Sequence, residues 1–302
     1  MSGPADAPAI LTSGLSKSYG VERGIEDVDL RVERGEVFGF LGPNGAGKTT
    51  TIRLLLDLIR PSAGSATVCG FDSRESIEVR ARTGYLPGEL KLPDRPTAGH
   101  LLGHLDRLRG GRSKAAIDAL AERLGLELDR RIGDLSKGNK EKIGVVAAFA
   151  HDPELLILDE PTSGLDPLRQ QDVQDLIRER AAAGRSVFLS SHALDQVEHV
   201  ARRVGIVNEG RLVAVEEIAA LKARALRHVT IMFAGEPPAD ELQRLPGARR
   251  IVRKDDSVRI EFEGEMDGLV KELARHRVKT LSSEEPELDE IFRAFYGRDD
   301  GD

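Results

Sequence analysis

From residue 28 to about residue 215, apolar runs of strand length alternate with stretches of helical spacing. Residues 28–32 alternate apolar and polar side chains, as a half-buried strand does. After the Arg34-Gly35 turn, residues 36–41 form a second, more apolar run. Residues 42–49 are rich in glycine. Ile52, Leu55, Leu56 and Ile59 then recur at helical spacing over residues 50–60, and Pro61 ends that pattern. Between residues 87 and 152 the texture turns helical. Leu101, Leu102, Leu105 and Leu108 predict a helix that stops at Gly110-Gly111. Ser113 predicts the cap of the next helix, which runs to Leu124 with Gly125 beyond it. Residues 155–158 are a short apolar run suited to a buried parallel strand. A helix over 168–183, a strand over 186–190 and a helix over 194–201 follow. Residues 204–207 and 212–215 flank Asn208-Glu209-Gly210 as a hairpin.

Strands alternating with helices predict an α/β fold whose largely parallel sheet is covered on both faces. Residues 87–152 read as a helical insertion into it. Beyond a boundary near residues 222–227 the pattern changes. Residues 229–233 and 258–262 read as strands, 278–281 as a weaker one, and 267–274 and 288–295 as helices. The expected organisation is therefore a larger domain over residues 1–221 and a small C-terminal α+β domain over residues 226–302.

The glycine-rich stretch carries chemistry. Gly42-Pro43-Asn44-Gly45-Ala46-Gly47-Lys48-Thr49 satisfies the pattern GxxxxGK[ST]. Glycines let the backbone curl so that successive N–H groups point at phosphate oxygens. Lys48 then reaches the β- and γ-phosphates, the Thr49 hydroxyl holds Mg²⁺, and the helix that follows adds its positive end. A chance match would lack the strand before and the helix after. The apolar run at 155–158 ends in Asp159-Glu160. Taken alone, two acids at a strand end are weak evidence. Beside the phosphate loop they form a Walker B arrangement, with Asp159 in the Mg²⁺ shell and Glu160 polarising the attacking water.

At this point the chain resembles the ATP-binding subunit of an ABC transporter over residues 10–221. Tyr19, in Ser18-Tyr19-Gly20, is similar to the aromatic residue that stacks on adenine. Residues 42–50, including Thr50, match Walker A. Leu135-Ser136-Lys137-Gly138-Asn139 falls where the family carries its LSGGQ signature. Ser163-Gly164-Leu165-Asp166 matches the D-loop, and His192 after Ser190-Ser191 matches the switch histidine at the γ-phosphate. The resemblance implies a P-loop ATPase of ABC type: a parallel core sheet, an antiparallel β subdomain and a helical insertion. It implies two subunits meeting head to tail, with ATP between Walker A of one and Ser136 and Gly138 of the other, and Asp166 at the dimer contact. Two departures stand out. In Tyr85-Leu86-Pro87-Gly88-Glu89 a glycine takes the place of the family's Q-loop glutamine, and Glu89 is the candidate replacement near the metal. In the signature, Lys137 replaces a glycine and Asn139 a glutamine. Whether Lys137 meets the opposing phosphate or is simply solvated stays open.

Composition narrows the partners. The 302 residues hold 51 acidic and 44 basic side chains, so the broad basic footprint of a nucleic-acid binder is missing. Most of the excess acidity lies in the tail, where residues 226–302 hold 13 basic and 18 acidic side chains. The single cysteine, Cys69, excludes an internal disulfide and a CxxC metal pair. No apolar run approaches the ~20 residues a membrane-spanning helix needs. Combined with the resemblance, this implies a cytoplasmic protein, peripheral at the inner face of the cell membrane, with the transport pathway supplied by separate permease subunits. The segment 85–92 and the helical insertion are where the resemblance places that docking. The same segment and the lysine-bearing signature are similar to ATPases that serve ABC-2-type permeases, which are mostly exporters, some of drugs or antibiotics. The competing readings are a non-transport ABC ATPase acting on nucleic acid or the ribosome, and a regulatory module that binds nucleotide without hydrolysing it. The single ATP motif set speaks against the first. Lys48, Asp159, Glu160 and His192 speak against the second.

Overall fold

The computed structural model describes residues 7–20, 22–224 and 227–284. The chain forms two compact units, residues 1–215 and 216–302. Strands β1 (Ile10–Tyr19), β2 (Glu22–Val28), β3 (Arg31–Val32) and β4 (Val37–Leu41) open the first unit. Helix α1 (Lys48–Leu55) leads to β5 (Ala63–Val68) and β6 (Phe71–Asp72), and α2 (Ser76–Arg82) to β7 (Thr83–Leu86). The insertion supplies α3 (Ala98–Leu108), α4 (Lys114–Leu124) and α5 (Lys137–Phe149). Then come β8 (Leu155–Asp159), α6 (Pro167–Ala182), β9 (Ser186–Ser191), α7 (Asp195–Glu198), β10 (Arg203–Asn208) and β11 (Arg211–Glu217).

Two sheets result. One runs β11-β10-β4-β9-β8-β7, with β10, β4, β9, β8 and β7 in parallel. Every residue of β4, β8 and β9 is buried, as expected of parallel strands covered on both faces. Phe38, Phe40 and Phe188 stack between β4 and β9 with ring centroids 6.1 and 5.3 Å apart. The other sheet is antiparallel: β2-β1-β5-β6, with β3 also on β1. The parallel core, the antiparallel subdomain and the helical insertion that the resemblance implies are all present.

Several expected elements shift for local reasons. The strand anticipated at 28–32 is interrupted at Asp29-Leu30. There Leu30 exchanges hydrogen bonds with Thr12, its N–H to the Thr12 hydroxyl at 2.8 Å and its carbonyl from the Thr12 N–H at 2.8 Å. Helix α1 stops at Leu55, well before Pro61. Asp57 turns left-handed (φ 52°), the Leu58 N–H returns to the Arg53 carbonyl at 2.8 Å, and the Asp57 N–H returns to Leu54 at 3.2 Å. That is a Schellman closure, stronger than the apolar spacing that continued through Ile59. The helix expected over 194–201 shortens to α7, because the Val200 and Ala201 N–H groups both close on the Val197 carbonyl. The hairpin forms as read, with Glu209 and Gly210 both at positive φ, as a two-residue turn requires. Ser113 precedes α4 but does not cap it with its side chain; its N–H instead donates to Asp106 at 2.9 Å.

The second unit comprises α8 (Ile218–Arg224), β12 (Arg227–Phe233), α9 (Ala239–Gln243), β13 (Ala248–Lys254), β14 (Ser257–Phe262), α10 (Asp267–Leu273) and β15 (Val278–Glu284). Its antiparallel sheet runs β13-β14-β12-β15. Val229, Ile231, Phe233, Val258, Ile260 and Phe262 alternate inward and bury against Leu242, Leu269 and Leu273. The helix anticipated at 288–295 lies outside the described residues.

Candidate functional site

The phosphate loop joins β4 to α1 at the C-terminal edge of the parallel strands, where open α/β sheets place their ligands. Gly45 (φ 84°) and Gly47 (φ 104°) adopt left-handed conformations that residues with a β carbon rarely take. A β carbon at Gly47 would also fall 2.6 Å from the Ile25 side chain. Ala46 is buried, its N–H bonded to the Pro43 carbonyl and its carbonyl to the Gly210 N–H. Asn44, Gly45, Thr49 and Thr50 line a cleft of about 170 Å³ with Lys48 and Glu160. The Lys48 side chain is only 6% exposed. Its ammonium donates to the Gly42 carbonyl at 2.6 Å and the Pro43 carbonyl at 3.2 Å, and lies 3.6 Å from Glu160. Burial lowers the Lys48 pKa, and the carboxylates of Glu160 and Asp159 work against that.

The ends of β8 and β9 complete this cluster. The Thr49 hydroxyl donates to the buried Asp159 carboxylate at 2.9 Å, and the Ser190 hydroxyl donates to its other oxygen. Glu160 sits in the left-handed region (φ 52°), a costly place for a side-chain-bearing residue. Its N–H is held there by the Ser190 carbonyl at 3.1 Å and hydroxyl at 3.3 Å. Its carboxylate lies 2.6 Å from Nδ1 of His192. Lys48, Thr49, Asp159, Glu160 and His192 thus form one connected set: a buried cation, a hydroxyl–carboxylate pair and a carboxylate–imidazole pair. Such a set can neutralise phosphate charge, hold a hard cation and polarise a water. Ser190 is its unanticipated member. The signal available in the sequence was the pair of serines closing an otherwise apolar strand.

The remaining candidates lie around this core. Tyr19 ends β1, 46% exposed, with the Lys17 ammonium 5.4 Å from its ring. Its ring edge lies over Gly24, which lines the loop cleft. Gly88 faces Asp159 so closely that a β carbon there would lie 3.2 Å from that carboxylate. Glu89 lines a larger cleft of about 630 Å³ with Thr49, Asp159 and Glu160, but its side chain is 83% exposed and pairs with Lys91 at 3.7 Å. Among the described residues its carboxylate pairs with Lys91, not with Thr49 or Asp159. Ser136 and Asp166 belong to a different arrangement. Each caps a helix, Ser136 accepting from the Asn139 N–H at 3.3 Å and Asp166 from the Arg169 N–H at 3.2 Å. Gly138 packs against the Gly164 carbonyl, where a β carbon would come within 3.0 Å.

Residues 25–163 match the family model of the ABC transporter domain. The chain is 35% identical to the daunorubicin resistance ATP-binding protein DrrA3 of Streptomyces coeruleorubidus, over 96% of each chain. The chain belongs to the ABC transporter ATP-binding proteins. This ABC ATPase is also 31% identical to the bacitracin transport ATP-binding protein BcrA of Enterococcus faecalis, over 95% of its own length and 96% of the relative's. A solved ATP-binding subunit of an ABC transporter superposes on 71% of it with a TM-score of 0.65 at 30% identity, covering 92% of that chain. A dimeric ATP-binding cassette in a post-hydrolysis state shares the fold, with a TM-score of 0.64 at 20% identity over 69% of this chain and 98% of that one. The phosphate loop of an ABC ATPase takes ATP. Among the described residues of this one, no helix is long and apolar enough to cross a membrane.

Proposed function

We propose that the chain is the ATP-hydrolysing motor of a membrane exporter, working as a head-to-tail homodimer on separate permease subunits. The observation that carries the catalytic part is the convergence of Lys48, Thr49, Asp159, Glu160 and His192 at the ends of β4, β8 and β9. In this reading the N–H groups of Asn44, Gly45 and Gly47 cradle phosphate oxygens, the Ala46 N–H joins them on leaving the Pro43 carbonyl, and Gly42 and Thr50 flank that cradle. Lys48 neutralises charge on the β- and γ-phosphates. Glu160 polarises the attacking water, and His192 orients Glu160 and contacts the γ-phosphate. Tyr19 stacks on adenine. Thr49 and Asp159 offer the all-oxygen donor chemistry that Mg²⁺ selects, so the residues fit that ion. When bound, Mg²⁺ supplies charge neutralisation between the phosphates.

Ser136, Gly138 and Asp166 act across the dimer. Ser136 and the start of α5 face the γ-phosphate held by the opposite subunit, where a helix N-terminus favours negative charge. Asp166 meets the partner subunit. Glu89 stands in for the absent glutamine at the metal, and its exposed place in the cleft leaves it free to turn inward. Residues 1–221 form the motor. Residues 226–302 form an accessory domain for dimer contact or regulation. The segment 85–92 and the helical insertion dock the permease, which brings the protein to the inner face of the cell membrane. Export, including drug or antibiotic efflux, is supported by relatives named for daunorubicin resistance, bacitracin transport and Nod factor export.

The decisive test is the Glu160→Gln protein incubated with ATP and followed by sedimentation. The proposal expects a long-lived dimer that retains ATP; a monomeric, fully active variant sinks it. Co-purification with a membrane permease tests the transport half, and recovery with ribosomes or DNA in its place overturns it. Glu89→Ala with unchanged hydrolysis and coupling removes Glu89 from the metal site.

A further inference from the structure

Glu160 and His192 stand on different loops, one after β8 and one after β9, yet their side chains meet at 2.6 Å. Something must hold those loops in register. Ser190 fixes the backbone of Glu160 but belongs to β9 itself. On the far side of the contact lies Gln196, in α7 and half-buried. Its side-chain oxygen accepts from the Thr162 hydroxyl at 3.0 Å and from the Ser191 hydroxyl at 3.0 Å. Thr162 and Ser191 are themselves buried. The Ser191 oxygen also accepts the Ala193 N–H at 3.0 Å while its own proton goes to Gln196. Thr162 follows Glu160 on one loop, and Ser191 immediately precedes His192 on the other.

We propose that Gln196 is the positioning residue that keeps the Glu160–His192 pair aligned, by bridging the Thr162 and Ser191 hydroxyls across the two loops. The inference rests on the catalytic reading of Glu160 and His192. Glu160 occupies a strained left-handed conformation, which persists only where the surroundings over-determine it. Gln170 anchors the same loop from α6, donating to the Thr162 and Leu165 carbonyls at 3.4 and 3.1 Å. Those two bonds stay on one loop, whereas the bonds to Gln196 cross between loops. Any displacement of residues 160–165 is therefore handed to His192 through Thr162, Gln196 and Ser191. The residue type is set by the role: a half-buried acceptor that serves two hydroxyl donors.

The test compares Gln196→Leu, which keeps the shape and removes the acceptor, with Gln196→Glu, which keeps acceptor oxygens. Steady-state ATP hydrolysis is read as kcat and KM separately. Misplacing a catalytic group is expected to lower kcat by about 10- to 100-fold in Gln196→Leu, with KM for ATP nearly unchanged. Gln196→Glu restores most of the loss. Thr162→Val lowers kcat in the same sense, and adding it to Gln196→Leu costs far less than the two effects combined. Thr162→Val also carries the test if Gln196→Leu fails to fold. A kcat near wild type in both variants, a Gln196→Glu protein as slow as Gln196→Leu, or fully additive effects overturns the inference. If Glu160→Gln itself leaves hydrolysis intact, the catalytic reading has failed, and the bridge has nothing to position.

Discussion

At the ends of β4, β8 and β9, polar groups are paired with one another, with Lys48, Asp159 and Ser190 buried. Ser136, Gly138 and Asp166 instead sit at the starts of α5 and α6, with Ser136 and Asp166 exposed. In the first region almost every donor and acceptor is already committed: Lys48 to two carbonyls, Asp159 to two hydroxyls, Glu160 to His192 and Ser190. In the second, each side chain satisfies one N–H of its own helix, and the remaining N–H groups of the first turn have no intrahelical partner. The difference separates a cluster whose groups are already paired from helix starts that offer spare donors; in the proposed head-to-tail assembly these are the two halves of one site. A single subunit builds the first alone. Under the proposed assembly, the second gains its role from the subunit it meets.

That comparison can be broken in order of expected effect. Glu160→Gln should lower hydrolysis by about two to four orders of magnitude, the range of a lost general base, while ATP affinity stays close to wild type. Phosphate release and equilibrium nucleotide binding check this. Lys48→Ala should weaken ATP binding by about 10- to 100-fold, because charge-assisted hydrogen bonds contribute about 1.5–3 kcal/mol; titration with labelled ATP measures it. Ser136→Ala should leave binding to an isolated subunit unchanged and lower stability by about 1 kcal/mol, the usual cost of a lost helix cap. Binding that collapses in Ser136→Ala would make the two regions a single site within one subunit.

The smallest effect concerns the far end of α5. His151 holds both ring nitrogens buried against the Thr83 and Ala147 backbone. Burial, aided by the nearby Arg109 charge, pushes its pKa down to about 4. The folded protein therefore binds fewer protons than the unfolded chain between that value and the ordinary histidine pKa of about 6.5. Stability from this group is full above pH of about 6.5 and is lost as pH falls toward 4. Melting temperature against pH should fall by a few degrees over that window, and His151→Leu should flatten that part of the curve. Hydrolysis at neutral pH should not respond, which separates the two ends of the same helix.

Much of the site was legible because a short pattern names its chemistry. The loop from Gly42 to Thr49 and the acids closing β8 are contiguous in sequence, and their context of strand, loop and helix is visible in the spacing of apolar residues. What escaped notice is non-contiguous. Ser190 and Gln196 act through contacts across 30 and 34 residues. The close approach of Gly88 to Asp159 depends on the neighbouring pairing of β7 with β8. The fold shows the same division. β4, β8 and β9 announce themselves as apolar runs, whereas β1 and β5 are rich in serine, threonine and glycine and carry little strand signal. Strand β13 has no fully buried residue, so no alternation marked it. The end of α1 was set by backbone closure at Asp57, which apolar spacing does not report.

Tyr19, at the mouth of the loop cleft, has an optical consequence. The chain contains no tryptophan and three tyrosines. Tyr85 lines the larger cleft beside Asp159, and Tyr296 lies beyond the described residues. An indole placed by Tyr19→Trp would therefore be the sole tryptophan emitter in the protein, at the edge of the phosphate loop. Nucleotide arrival and departure would then be readable as a change in one fluorophore against a dark background.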